Sequence, residues 1–353
     1  MKKRIEYIDA LRGFTMILVV FAHVETFMLS IEPSSTFISH LFISFRMPLF
    51  FFISGYIAYK ENVIWNISYY LNNITKKIRI QLIPTFIFGL LYTYLFSLGS
   101  IFDFINNYDK YGYWFTICLL GMFIILYTFN MLYNTFFNKQ NKYYLFCLFL
   151  ITCLLFGARL LYDKNPQFAQ ISDVFCFHQI CTYVPFFFFG YIMSRYRDLF
   201  HKFLNHNLMQ MFVLILFCIA FYIQRIMPMS FYETNDFLLV YRNIQYLIIG
   251  LLGICIVYNL FRQNSTFFTK NSILSNGLQK IGRRTLDIYM IHYFFLSVIP
   301  CLGSYISSTR NIIFEVFFVS VLSILVIAFS LFISKILRFS KYMSYYLFGA
   351  RNN

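Results

Sequence analysis

The chain has 353 residues, of which 59% are apolar and only 12% are charged, and its formal net charge is +15. Soluble globular domains usually contain about 25% charged residues, so this composition excludes an ordinary soluble enzyme. A basic chain can indicate a nucleic-acid-binding protein. Here the Lys and Arg residues lie between long apolar runs, which indicates a membrane protein with no nucleic-acid partner.

Ten apolar runs, each of about 20 residues and long enough to cross the hydrocarbon core, predict ten transmembrane helices in an all-α bundle. The predicted spans are 8–29, 37–59, 80–98, 113–135, 143–161, 174–194, 208–226, 237–261, 285–303 and 311–334. The first run is too long for the apolar part of a signal peptide, so we expect it to be retained. No loop is long enough for a separate core, so we expect one membrane domain over residues 1–353. The loops at 60–79 and 262–284 are long enough for short interfacial helices.

The Lys and Arg residues are distributed unevenly between the two sides of the predicted membrane. Of the 29, 21 fall on the same side as the N-terminus, six fall on the other side, and two lie within spans. Positive loops face the cytoplasm, so this distribution predicts that both termini are cytoplasmic.

The first two spans contain three polar residues, of which Arg12 lies near the predicted cytoplasmic boundary and the other two lie deeper. In "LRGFTMILVVFAH" (11–23), Arg12 and His23 are separated by eleven positions, which is close to three helical turns. They therefore share a helix face, about 16 Å apart along the axis. Arg46 lies in the second span at a depth similar to that of His23, where a charge costs about 2.5–3.5 kcal/mol. Arg12 alone could be a snorkelling anchor, and His23 alone could be a histidine hydrogen-bonded between helices. Together, the three residues favour a functional cavity.

The residue types in this predicted cavity suit group transfer. A shielded histidine can act as a general base towards a hydroxyl, or as a nucleophile that carries an acyl group. Arginines can hold a phosphate or stabilise an oxyanion. The eight cysteines form no CxxC pair, and no two histidines or cysteines share a face at ligand spacing, so we expect no metal site.

Two neighbouring motifs resemble those of the acyltransferase-3 family of integral membrane acyltransferases. They are "YIDALRGFTMILVVFAH" (7–23), in which Arg12, ten residues and His23 match the family hallmark, and "FRMPLFFFISGYIAYK" (45–60). The resemblance continues in "KKIRIQLIPTFIFGLLY" (76–92), "YWFTICLLGMF" (113–123), "VPFFFFGYIMSRY" (184–196) and "RRTLDIYMIHYFF" (283–295). The N-terminal pair of motifs is the specific part of this resemblance.

The resemblance implies transfer of an acyl group, most often acetyl, from cytoplasmic acyl-coenzyme A to a sugar hydroxyl. The donor is a co-substrate, with no permanently bound cofactor, and the acceptor is a surface polysaccharide or lipid-linked glycan. His23 would be the catalytic base, with Arg12 and Arg46 holding the donor or polarising its thioester. We favour Glu32 over Glu25 as the acid that orients His23, because Glu25 is only two residues away and points to another face.

The resemblance also suggests residues that would bind the donor. Lys76 and Arg79 would be available for the phosphates, although each could equally be an ordinary cytoplasmic charge. Trp114 belongs to the matching Trp-Phe segment. His292 would line the donor channel, and a core histidine is an equal alternative for it.

Two other classes of function compete with the enzyme. A polysaccharide exporter would also carry intramembrane charges, but it would not need acyl-coenzyme A. A structural membrane subunit would leave the buried Arg46 unexplained. The topology and the resemblance together favour a multi-pass protein of a bacterial inner membrane. Direct transfer and an acyl-histidine intermediate both remain open.

Overall fold

The computed structural model describes residues 5–32, 36–61, 63–137, 143–164, 173–227, 236–269, 272–309 and 311–349. Over these ranges the chain forms helices and no strand. The helices are α1 (Glu6–His23), α2 (Phe37–Ala58), α3 (Ile67–Lys77), α4 (Ile83–Leu95), α5 (Ile101–Asn106), α6 (Trp114–Phe136), α7 (Tyr144–Lys164), α8 (Phe177–Arg195), α9 (Arg197–Asn205), α10 (Asn207–Ile226), α11 (Asp236–Gln263), α12 (Ser265–Thr269), α13 (Ile273–Arg283), α14 (Thr285–Ile291), α15 (Pro300–Ser308), α16 (Ile312–Leu337) and α17 (Lys341–Phe348).

Several of these helices are long and apolar enough to cross a membrane. Within the described residues there are seven such spans, or eight if one bent pair is a single span. The seven are Glu6–Met28, Phe37–Ala58, Ile67–Leu95, Trp114–Phe136, Asn207–Ile226, Phe237–Gln263 and Ile312–Leu337. The all-helical, multi-pass architecture is therefore confirmed. The total of ten spans and the cytoplasmic location of both termini stay predictions.

The third predicted span begins earlier than we expected. We placed its start at residue 80, whereas the helix begins at Ile67 and continues through a π-helical turn (Ile78–Leu82) to Leu95. Asn66 caps its start by accepting a hydrogen bond from the Tyr69 backbone N–H at 2.8 Å. The polar residues of its first turns lower the hydropathy, but they lie on an amphipathic surface and do not interrupt the helix. Lys76 and Arg79 therefore lie within this helix.

The ninth predicted span is broken, not continuous. Helix α14 ends at Ile291, a 3-10 turn covers His292–Phe295, and the axis then bends by 101° before α15 begins at Pro300. Pro300 has no backbone N–H, and the Ile299 N–H before it donates to the Met28 carbonyl at 2.7 Å. The last residue before α15 is thus hydrogen-bonded to the end of the first span.

The chain divides into two compact units. The first contains Met1–Ile57 and Phe189–Phe332, and the second contains Ala58–Phe188 and Ile333–Asn353. The prediction of one domain over 1–353 stays a prediction.

In the first unit, α1 is the central helix. The most apolar part of its span is 67% buried, whereas that of α10 is only 17% buried, so α10 is a peripheral helix. Helix α13 packs directly against α1, with Gly13 facing the Leu278 backbone and Gly282 facing the Asp9 backbone. Glycines permit such a close approach of helix backbones in membrane proteins. A side chain at either position would meet backbone atoms.

In the second unit, the long helix from Ile67 to Leu95 packs against α6. A hydrogen bond of 2.5 Å joins the hydroxyls of Thr85 and Thr116 across this interface. The C-terminal helix α17 packs on α4 and on the π-helical turn, where the rings of Phe88 and Phe348 lie 6.1 Å apart.

Candidate functional site

The candidate catalytic histidine is the last residue of α1. The α-helix is unbroken from Glu6 to His23, so Arg12 and His23 keep the spacing of about three turns that places them on one face. Directly after His23 the chain changes to a π-helical turn, Val24–Met28. Turns of this kind occur frequently at functional sites, because they reorient side chains within a helix.

The structure brings His23 and His292 together, although 269 positions separate them in the sequence. The His23 Nδ1 atom lies 2.8 Å from the His292 Nε2 atom, and the two rings are nearly parallel, with 9° between their planes. His292 is completely buried, whereas His23 is half-buried and keeps part of its surface accessible. We expected His292 to line a donor channel or to be a core histidine. The structure places it beside the predicted base, and neither expectation is tested by this position.

The hydrogen bonds of His292 determine which nitrogens carry protons. Its Nδ1 atom lies 2.9 Å from the carbonyl oxygens of both Ile288 and Tyr289. Carbonyl oxygens only accept hydrogen bonds, so Nδ1 is protonated and Nε2 of the neutral ring is an acceptor. His23 therefore donates its Nδ1 proton to His292. The lone pair of neutral His23 is then on Nε2, which has no hydrogen-bond partner among the described residues.

Aromatic rings surround this histidine pair. The ring centroid of Tyr293 lies 5.1 Å from that of His23 and 4.1 Å from that of His292, and Phe27 lies 5.6 Å from His23 on another side. These rings limit the directions in which the His23 imidazole can turn. In the described part of the chain, no group of three or more His, Cys, Asp or Glu side chains could hold a metal ion.

The other predicted catalytic residues also lie in the first unit. Arg46 is half-buried and close enough to His23 to interact with it electrostatically. Arg12 is half-buried towards the opposite end of α1. Glu32 is exposed in the segment after the π-helical turn, and the Nδ1 atom of His23 is occupied by His292. The catalytic role of each of these residues stays a prediction.

Glu25, two residues after His23, was set aside in the sequence analysis in favour of Glu32. Its side chain is only 1% exposed, and its Oε1 atom accepts a hydrogen bond from the Ser39 hydroxyl. Arg46 and Glu315 are both near enough to interact electrostatically with this carboxyl group. The sequence already indicated Glu25, because it lies inside a predicted span, where an acidic side chain is costly unless it serves a function.

The predicted donor-binding cations lie in the second unit. Lys76 is exposed at the end of α3, and Arg79 is half-buried in the π-helical turn that follows. The Arg79 guanidinium lies 4.1 Å from the centre of the Tyr345 ring, so α17 holds one of its faces. Its Nε atom is buried and has no hydrogen-bond partner among the described residues. A guanidinium held in this way can donate hydrogen bonds to an anion.

Trp114 begins α6 in the same unit. Its ring is half-buried and stacks on Tyr183, with 5.6 Å between centroids and 19° between planes. Because α6 packs against α3 and the π-helical turn, Trp114 belongs to the same group of packed helices as Arg79. Donor binding by Lys76, Arg79, Trp114 and His292 stays a prediction.

Comparison with known protein families gives one match. The family described as an acyltransferase domain matches residues 5–335, which include the histidine pair and both predicted groups of site residues. The chain belongs to the acyltransferase-3 family. Comparison with curated proteins and with solved structures gave no match.

Membership of the acyltransferase-3 family makes this protein a membrane acyltransferase with several membrane-spanning helices. The match confirms the family that the Arg12–His23 motif suggested. The matched residues, 5–335, include parts of both compact units.

Proposed function

We propose that this acyltransferase moves an acyl group, most simply acetyl, from acyl-coenzyme A to a hydroxyl of a surface polysaccharide or lipid-linked glycan at a bacterial inner membrane. The observation that carries the proposal is the hydrogen bond from His23 to His292. It leaves the unprotonated Nε2 of His23 directed away from its partner, as a general base requires.

The reaction follows from this arrangement. The His23 Nε2 atom takes the proton of a sugar hydroxyl, and the hydroxyl oxygen forms a bond to the thioester carbonyl carbon. The carbon–sulfur bond then breaks, and the coenzyme A thiolate leaves with the proton that His23 returns. Arg46 is the nearby cation that would stabilise the oxyanion during this step.

His292 keeps the same hydrogen bond throughout this cycle. When His23 is protonated, its Nδ1 still donates to His292 Nε2, so the imidazole is held in one orientation in both states. The same lone pair on Nε2 could attack the thioester itself and form an acyl-histidine. Both routes use His23 and give the same products.

The donor is bound through its phosphates. Lys76 and Arg79 are the cations that we assign to them, and Trp114 offers a ring surface next to the same helices. Arg12, towards the N-terminal end of α1, is the further cation available to the donor.

The test compares the ester-linked acyl groups of the host's surface glycans by mass spectrometry. Cells that lack the protein are complemented with wild type, with His23→Ala, or with His206→Ala, an exposed histidine outside the site. We expect wild type and His206→Ala to restore an acyl mass and His23→Ala to restore none. Equal restoration by His23→Ala would contradict the assignment of the base. A deletion that leaves acylation intact and retains glycan inside the cell would favour the exporter.

A further inference from the structure

A second polar cluster lies just beyond His23, at the C-terminal end of the first span. Glu25 is 1% exposed in the π-helical turn, Ser39 is buried near the start of α2, and Glu315 is 7% exposed in the first turn of α16. Both carboxyl groups belong to the first unit, and they are close enough to interact electrostatically. The cluster is therefore formed by two consecutive helical segments and a third that is far from them in the sequence.

The carboxyl oxygens of this cluster are not fully satisfied. Glu25 uses Oε1 to accept the Ser39 hydroxyl, but its Oε2 atom is buried and has no hydrogen-bond partner among the described residues. The Oε1 atom of Glu315 is in the same condition. Buried polar atoms in native proteins are nearly always paired, so two such oxygens on interacting side chains indicate a place where another molecule supplies donors.

The charges indicate the kind of molecule. Carboxylate oxygens only accept hydrogen bonds, and Arg46 is the cation that interacts with Glu25. A phosphate or carboxylate would need hydrogen-bond donors where this cluster presents acceptor oxygens, so the cluster disfavours such ligands. The hydroxyl groups of a sugar are neutral and donate hydrogen bonds, so a polyhydroxylated ligand fits these oxygens.

We propose that Glu25, Ser39 and Glu315 form the subsite that holds the sugar acceptor, so that one of its hydroxyls reaches His23. This inference rests on the proposed function and deepens it. Arg46 is close enough to interact electrostatically with both His23 and Glu25, so the two side chains lie near one point and can contact one sugar ring. The hydroxyl that reacts gives its proton to His23 Nε2, and hydroxyls elsewhere on the ring donate to the two carboxylates.

The position of the subsite agrees with the predicted topology. If the N-terminus is cytoplasmic, α1 runs outward, and Glu25 lies near its outer end. Helix α16 then runs inward, and Glu315 lies near its outer start. The acceptor would therefore approach from outside, while the donor nucleotide stays inside.

The experiment separates acceptor binding from donor binding. Glu25→Gln and Glu315→Gln remove a charge with little change of shape, and Glu6→Gln makes the same change at an exposed position of α1. Each variant is tested in deletion cells for ester-linked acyl groups on surface glycans. Each purified protein is also tested for its increase in melting temperature with free coenzyme A, because every donor of this class carries that group.

We expect Glu25→Gln and Glu315→Gln each to lower the rate of glycan acylation about tenfold or more, because each replaces a carboxyl oxygen that accepts a hydrogen bond from the acceptor with an amide group that donates. Their stabilisation by coenzyme A should equal that of wild type, and Glu6→Gln should match wild type in both assays. Acylation at the wild-type rate in both variants would overturn the subsite. The subsite would also be overturned if coenzyme A binding fell as much as acylation, or if a lower melting temperature accounted for the loss of acylation. If wild type itself neither binds coenzyme A nor supports acylation, the proposed function is wrong.

Discussion

Replacing His292 tests the arrangement of the histidine pair most directly. In His292→Leu, the Nδ1 proton of His23 loses its acceptor at 2.8 Å, and the tautomer with a proton on Nε2 is no longer disfavoured. Leaving one hydrogen-bonding group unpaired costs about 1–3 kcal/mol, which corresponds to a decrease in rate of about 5- to 150-fold. Because His292 does not contact the reacting atoms in our mechanism, we regard it as a positioning residue.

The matched variant is His292→Gln, whose side-chain amide oxygen can accept the His23 Nδ1 proton from nearly the position of the original Nε2 atom. We expect this variant to retain most of the activity, so the ratio between Gln and Leu reports the hydrogen bond itself. The assay is the initial rate at which ester-linked acyl groups appear on surface glycans after induction, divided by the amount of folded protein. Equal rates in wild type and His292→Leu would refute the reasoning, and so would a Gln variant as slow as Leu at the same melting temperature.

Three other predictions concern packing, donor binding and pH. Gly13→Leu should lower the melting temperature, because the new side chain meets the Leu278 backbone and overpacking costs about 1–3 kcal/mol or more. Gly277 has open space around it, so Gly277→Ala should raise the free energy of unfolding by about 0.5–1 kcal/mol. Arg79→Ala should weaken coenzyme A binding about 10- to 150-fold, because it removes a hydrogen bond to a charged group. Calorimetry measures this loss, with the exposed Lys202→Ala as the control. Burial, and then the charge of Arg262, lower the pKa of His201, so the unfolded chain binds the proton more readily than the folded protein. The melting temperature should therefore fall as the pH drops below about 6.5. His201→Gln should remove this part of the pH dependence, and an unchanged pH profile would contradict the prediction.

Most of the helical architecture could be predicted from the sequence, because apolar length and charge distribution are local properties. The predicted spans at 8–29, 37–59 and 113–135 agree with helices to within a few residues. The start of the helix at Ile67 was missed because hydropathy averaged along the sequence does not show that the polar residues lie on one face of the helix. The break at His292 was missed because Pro300 was read as part of a continuous apolar run.

The site could be predicted only in part, for a different reason. Arg12 and His23 lie on one helix, so their common face follows from spacing alone. The pairing of His23 with His292 depends on how distant helices pack, and no local pattern contains that information. Glu25 was set aside by ideal helical geometry, yet it lies in a π-helical turn, where that geometry does not hold.

The broken helix at His292–Phe295 should tolerate inserted residues less well than irregular segments usually do. Irregular segments normally accept insertions and length variation better than helices do. Here the carbonyls of Ile288 and Tyr289, at the end of α14, hold the proton that orients His292. One residue inserted between Tyr289 and His292 would move the His292 ring away from these carbonyls and from His23. An insertion scan should therefore find the junction between α14 and this break as intolerant as the core of α1, and an insertion in the less buried α10 should reduce activity less.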